Sequence, residues 1–309
     1  MPGPWPPART TPEHGTGVTE PRDDALIITG SRGRLGRALL ATAPGPVSGW
    51  DRPLLDLDDP AGCAALVERD RPGLVIHTAA MTAVDAAALD PEGALRRNGE
   101  ATAALARACR NSGARLLLIS TNEVFSGDRA DGQGYAEDDP VDPPNAYGAS
   151  KRAGEQAASA AFDGHDGLWI VRTSWLFGPP GGDFPDKITA AADRLAEAPL
   201  AVVADEYGSP TYTLDLARAI HSLVARTTGG TYHLANRGIA SRYDWARAVL
   251  TVRRPGRELR PITQTAFERP SRPPRWGVLD TSRAAATGVT LRGWPEALAE
   301  YLAQDGGSA

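Results

Sequence analysis

The strongest constraint on this chain is a short apolar run, Ala25-Leu26-Ile27-Ile28-Thr29, that passes directly into Gly30-Ser31-Arg32-Gly33-Arg34-Leu35-Gly36. A run that is apolar at every position predicts a strand buried on both faces, as in a parallel sheet. The glycines that follow allow a tight turn into a helix over 34–43. The same rhythm continues. A weaker strand ends near Trp50, a helix covers 61–69, and Leu74-Val75-Ile76-His77 is a third strand. A long helix over 92–111 closes at Ser112-Gly113, and a fourth strand covers 115–120. A polar loop through Pro144 leads to a helix carrying Tyr147 and Lys151, and a further strand covers 168–172. Strands and helices in strict alternation predict an open parallel sheet with helices on both faces.

The spacing G-x-x-G-x-x-G directly after the first strand is that of a dinucleotide-binding turn, where backbone N–H groups and a helix N-terminus meet a pyrophosphate. The expected fold class is therefore α/β, a Rossmann-like doubly wound parallel sheet with a smaller C-terminal substrate-binding lobe. Residues 25–178 form mainly the dinucleotide-binding domain. Beyond Gly178 prolines and glycines multiply, and 179–309 form mainly the substrate lobe, with helices near 214–226, 241–252 and 295–303. Segments around 200–230 are expected to return to the first domain. Residues 1–24 are proline-rich without an apolar core, and read as a flexible tail rather than a secretory signal.

With 309 residues and a net charge of -5, the chain suits a globular protein with no basic surface for nucleic acid or an anionic membrane. No apolar run reaches the length of a membrane span. Cys63 and Cys109 are isolated, so neither a disulfide framework nor a metal-ligand spacing is visible, and a reducing cytoplasm is the simplest location.

Ligands of such sheets bind outside the carboxyl ends of the strands. Gly30, Gly33 and Gly36, with Arg32, Arg34 and Leu35, follow the first strand; Asp51, Arg52, Asp56 and Leu57 follow the second. Ala79, Ala80 and Thr82 follow the third, Thr121 the fourth, and Trp175 a later one. Asp51 stands at the distance from Gly30 expected of the acid that holds an adenosine ribose, which favours NAD. Arg32, Arg34 and Arg52 favour a 2′-phosphate and hence NADP, so NADH and NADPH both remain open. Tyr147 and Lys151 are four apart and share a helix face. Lysine is scarce here, with only Lys151 and Lys187 in the chain, so an ammonium at 151 is a selected feature. Beside a phenol, it is expected to stabilise phenolate and lower the tyrosine pKa, making Tyr147 a proton shuttle. Thr121 is placed to hydrogen-bond the same carbonyl oxygen.

These segments, with Thr82-Ala83-Val84-Asp85, Arg172-Thr173-Ser174-Trp175, Gly208-Ser209-Pro210-Thr211-Tyr212, Tyr232-His233-Leu234-Ala235 and Leu279-Asp280-Thr281-Ser282, resemble the extended short-chain dehydrogenase/reductase superfamily. Within it the chain resembles the dTDP-4-dehydrorhamnose reductase family almost from end to end. The resemblance implies NAD(P)H-dependent reduction of the 4-keto group of a nucleotide-linked 6-deoxy sugar, with Thr121, Tyr147 and Lys151 as the catalytic triad. It implies that Lys151 also holds the nicotinamide ribose, that Asn98 helps a water relay protons or is a helix-surface amide, and that Trp175 lines the sugar pocket or packs in the core. Thr82 and Asp85 would lie near the substrate, and a homodimer, with magnesium in some relatives, is possible. Four positions depart from the family pattern: Met81 replaces a common tyrosine, Asn122 and Glu123 replace Asp-Tyr on the expected pocket wall, and Ser126 replaces an Asp. Related 4,6-dehydratases carry an Asp-Glu pair there; Asn122 cannot supply that acid, which argues against dehydration. An epimerase of the same superfamily and a non-catalytic NAD(P)-binding regulatory subunit are the competing readings.

Overall fold

The structure, a computed structural model, describes residues 22–195 and 198–305. The first strand, β1 (Arg22–Thr29), begins at Arg22 rather than Ala25, because Arg22 pairs with Pro72 ahead of a register shift that ends at Leu26. Three residues assigned to the tail thus belong to the sheet; the rest of the expected tail lies outside the described residues. The other central strands are β2 (Val47–Trp50), β3 (Pro72–His77), β4 (Arg115–Thr121), β5 (Leu168–Thr173) and β10 (Gly230–His233). All pair in parallel, in the order β10-β5-β4-β3-β1-β2.

Alternate residues of each strand feed two cores. Leu26, Ile28, Leu74, Ile76 and Leu117 pack under α1 (Arg34–Thr42) and α8 (Thr213–Arg226). Ile27, Val75, Leu116 and Leu118 pack under α2 (Pro60–Asp70), α5 (Ala101–Ser112) and α6 (Ala146–Phe162). Burial on both faces explains why these strands are apolar throughout. The chain leaves β1 in one direction for β2 and reaches β3 on the other side. The carboxyl ends of β1 and β3 therefore flank the crevice where such sheets take ligands.

The helix expected over 92–111 is in three parts: α4 (Pro91–Leu95), a π-helical turn (Arg96–Glu100) and α5. The wide turn carries Asn98 inward, where Oδ1 accepts from Met81 N–H at 2.8 Å and Nδ2 donates to Met81 O at 3.0 Å and Ser150 Oγ at 2.9 Å. Such bulges cluster at functional sites. Sequence reading also missed α3 (Val84–Leu89), the edge strand β10 and α7 (Phe184–Arg194). The α7 start was legible in principle, since Asp183 caps it and Pro185 follows in the first turn.

The second half adds three two-stranded ladders: β6 (Leu176–Phe177) with β9 (Thr211–Tyr212), β7 (Leu200–Val203) with β12 (Leu259–Ile262), and β8 (Tyr207–Gly208) with β11 (Ala240–Ser241). With α7, α9 (Arg242–Arg253) and α11 (Trp294–Asp305), they enclose a core of Phe177, Tyr212, Trp245 and Tyr301. The short α10 (Ser282–Ala286) lies beside β10. No helix among the described residues is long and apolar enough to cross a membrane.

Two contacts seat α6 on the sheet. A Cβ at Gly148 would lie 2.0 Å from the Glu123 carbonyl oxygen, so only glycine allows this approach. Farther along, Glu155 of α6 takes a two-pronged hydrogen bond from Arg172 of β5 at 2.9 and 2.8 Å, with both side chains buried. Burial pushes the Glu155 carboxyl up, yet Arg172 holds it below the usual carboxylate range. A depressed folded pKa contributes stability that is complete above the usual range and lost as pH falls from there through the lowered folded value. Removing one member of a buried pair strands the other charge. Glu155→Ala is therefore expected to lower unfolding free energy by about 3–5 kcal/mol in a urea titration. Arg152→Ala, which removes the more exposed partner of Glu155, is expected to cost less than about 1 kcal/mol.

Candidate functional site

A cleft of about 1060 Å³ crosses the carboxyl ends of the central strands. Gly30 (φ +64°) makes the turn after β1, and its N–H donates to Trp50 O at 2.8 Å. A Cβ there would lie 2.9 Å from the Ala79 backbone. Gly33 caps α1 without a side-chain hydrogen bond, and no acid lies in the first turn. The N–H groups and positive dipole end of α1 are thus left for an anion in the cleft, where Gly33, Arg34 and Leu35 line the wall. Gly36 lies behind the loop: its Cβ would sit 2.2 Å from Gly30 O, so its absence lets α1 approach the strand.

The Asp51 carboxylate accepts from the backbone N–H of Arg32 at 2.7 Å and of Arg52 at 2.8 Å, tying the glycine loop to the end of β2. Arg32, Asp51, Arg52, Leu57, Ala79 and Ala80 all line the cleft. Asp56 does not; it accepts from Asp58 N–H and approaches Arg52 at 3.6 Å. Arg34 differs from the other two arginines. Its guanidinium donates to Gly178 O at 3.1 Å and Gly181 O at 2.9 Å, with Asp183 at 3.9 Å. It is committed to the opposite wall rather than free for a 2′-phosphate.

Thr121 ends β4, with its Oγ1 accepting from Glu123 N–H at 3.2 Å. Tyr147 and Lys151 line the same cleft one helical turn apart. The expected depression of the phenol pKa is not what this site produces. Burial raises the Tyr147 pKa, the Glu123 charge raises it further, and only a hydrogen bond with Thr121 opposes them. Burial pushes the Lys151 ammonium down to about 8, with Glu155 opposing. Removing water costs both charged forms free energy. At neutral pH the site therefore holds a protonated phenol beside a cation.

Asn98 corrects another expectation. It is buried rather than on the helix surface, and its amide bridges Met81 and Ser150, the residue before Lys151. Asn122 is buried; its Nδ2 donates to Gly277 O at 3.0 Å. Glu123 and Thr82 line the cleft, whereas Asp85 does not. Asp85 is instead bound by Arg269 at 2.9 Å and by Ser271. Trp175 (φ +47°) lines the cleft with the Arg242 guanidinium 3.6 Å from its ring centre.

Phe184, Lys187, Arg242 and Arg97 complete the walls and were not singled out as site residues from sequence. Lys187 carried a signal, being the second of two lysines. Arg97 carried none: it reaches the cleft through the π turn, where Asp58 holds it at 2.8 Å.

The chain matches the family model described as the RmlD substrate binding domain over residues 24–306. A dTDP-4-dehydrorhamnose reductase of Streptomyces griseus is 41% identical over 288 residues, covering 89% of this chain and 91% of that protein. A probable dTDP-4,6-dihydroxy-2-methyloxan-3-one 4-ketoreductase of Streptomyces antibioticus is 39% identical, covering 89% of this chain and 93% of that protein. Among solved structures, a dTDP-4-dehydrorhamnose reductase of Bacillus anthracis in complex with NADP superimposes with a TM-score of 0.82 at 32% identity, over 91% of this chain and 99% of that one. By these matches the chain belongs to the RmlD substrate-binding-domain family.

Proposed function

We propose that the protein is an NAD(P)H-dependent sugar-nucleotide ketoreductase that reduces the 4-keto group of a dTDP-linked 4-keto-6-deoxy sugar. The observation that carries this reading is the meeting of Thr121, Tyr147 and Lys151 in one cleft with the glycine turn after β1. Their presence favours an enzyme over a regulatory subunit. The Cβ-free cradle at Gly30 and the uncapped N-terminus of α1 fit a dinucleotide pyrophosphate.

Gly30, Gly33 and Leu35 would hold the phosphates, Asp51, Arg32 and Arg52 the adenosine ribose, and Leu57, Ala79 and Ala80 the rest of that half. A reduced nicotinamide bound in the cleft would supply the hydride. Tyr147, kept in the phenol form, donates its proton to the carbonyl oxygen as charge develops there. Thr121 donates a hydrogen bond to the same oxygen. Lys151 stabilises the phenolate left behind and holds the nicotinamide ribose. Asn122, Glu123, Thr82 and Trp175 face the sugar.

The direct test is oxidation of NADPH or NADH with dTDP-4-keto-6-deoxy sugars, matched by formation of a 6-deoxyhexose. Tyr147→Phe is expected to lower kcat about 100- to 10,000-fold while coenzyme affinity is retained, since only the proton donor is lost. Lys151 is charged below about pH 8 and loses its proton above it, so kcat/KM is expected to fall as pH rises through that value in a pH–rate profile. Coenzyme choice separates Asp51 from the arginines: Arg32→Ala combined with Arg52→Ala should raise KM for NADPH about tenfold, a loss of about 1.4 kcal/mol, and leave KM for NADH nearly unchanged.

A further inference from the structure

Glu123 lies on the single-turn 3-10 helix (Asn122–Val124) between Thr121 and α6, and lines the cleft beside Thr121, Tyr147 and Trp175. Its Oε2 accepts from Asn145 Nδ2 at 2.7 Å. Asn145 is the N-cap of α6, its Oδ1 taking the Gly148 N–H at 2.8 Å. The carboxyl is thereby fixed to the helix that presents Tyr147 two residues after the cap. The other oxygen, Oε1, has no hydrogen-bond partner among the described residues.

The neighbouring cations are already committed. Arg242 pairs with Glu206 at 2.8 Å and lies over Trp175, and Arg269 pairs with Asp85. An ionised carboxylate can only accept hydrogen bonds, so a ligand group that meets Oε1 in the cleft must be a donor. A sugar bound in this cleft brings such donors in its ring hydroxyls. Glu123 N–H donates to Thr121 Oγ1 at 3.2 Å and its side chain shares the cleft wall with Tyr147, so a hydroxyl that meets the carboxyl stands next to the carbonyl that Thr121 and Tyr147 address.

We propose that Glu123 reads a ring hydroxyl on the carbon adjoining the ketone, accepting its hydrogen bond on Oε1, and so selects which keto sugars the cleft admits. The proposal rests on the ketoreductase reading above. Burial pushes the carboxyl up to about 7; Glu206 adds to the rise, while Asn145, Arg242 and Arg269 oppose it. The accepting, ionised form therefore predominates above pH 7 and is lost below it.

Calorimetry with saturating oxidised coenzyme compares a dTDP-4-keto-6-deoxyhexose with its 3-deoxy analogue. Wild type is expected to bind the hydroxylated sugar about tenfold or more tightly than the analogue at pH 8, with the preference shrinking at pH 6. Glu123→Gln, which keeps an oxygen for Asn145, is expected to reduce the preference below about threefold at both pH values. A wild type that binds both sugars alike at pH 8, a preference that does not change with pH, or a Gln variant that keeps the full preference would each overturn the proposal. The wild-type pH comparison needs no variant, so it decides the matter even should Glu123→Gln fail to fold. These measurements use binding alone, so a wild type inert toward NADPH and NADH would overturn the ketoreductase reading separately.

Discussion

The close seat of α6 against the end of β4 governs the rest of the site. Gly148 meets the Glu123 carbonyl with no space for a side chain, and this contact sets how far Tyr147 and Lys151 stand from Thr121. The Arg172–Glu155 pair pins the helix farther along, and the Asn98 amide fixes its near side through Ser150. Three different kinds of interaction, steric, ionic and hydrogen-bonding, thus hold one helix in one position. The proton transfer proposed for Tyr147, which must bring the phenol within hydrogen-bond reach of a carbonyl oxygen, requires that rigidity.

Burial acts on the two key groups in opposite senses, and both outcomes suit reduction. The phenol keeps its proton and can donate it, while the ammonium remains charged through neutral pH although its affinity for the proton is weakened. In the proposed reaction, stabilisation of phenolate is then needed only as the proton leaves, when negative charge appears beside Lys151. The same removal of water strengthens each charge–charge interaction in the cleft.

The parallel strands around Ile28, Ile76 and Leu117 were legible because burial on both faces leaves only apolar residues, and the glycine turn because its spacing has a backbone cause. Tyr147 and Lys151 were legible through a rare residue at helical spacing. Residues that reach the cleft through tertiary packing were not. Arg97 depends on a π turn, which no periodicity announces, and Arg242 arrives from a helix far along the chain. The pKa of Tyr147 was misjudged because a sequence shows the neighbouring ammonium but not the depth at which the phenol lies. Arg34 looked like a phosphate ligand until its carbonyl partners at Gly178 and Gly181 came into view. Asp85 stands in the expected segment, but Arg269 and Ser271 draw its side chain away from the cleft.

The scarcity of lysine gives the protein an unusual chemical address. Lys151 and Lys187 both line the cleft, one at its floor and the other on its α7 wall, and every other basic side chain of the Lys/Arg class is a guanidinium. Guanidinium groups stay protonated and are poor nucleophiles at neutral pH. Apart from the terminal amine, an acylating or reductive-alkylating reagent therefore finds two amine targets, the buried Lys151 and the exposed Lys187. The lowered proton affinity of Lys151 leaves more of its amine unprotonated than in an ordinary lysine, whenever the reagent can reach it. Amine chemistry that scatters over the surface of an ordinary protein meets only two side chains here, one buried and one exposed, both bordering the same cleft.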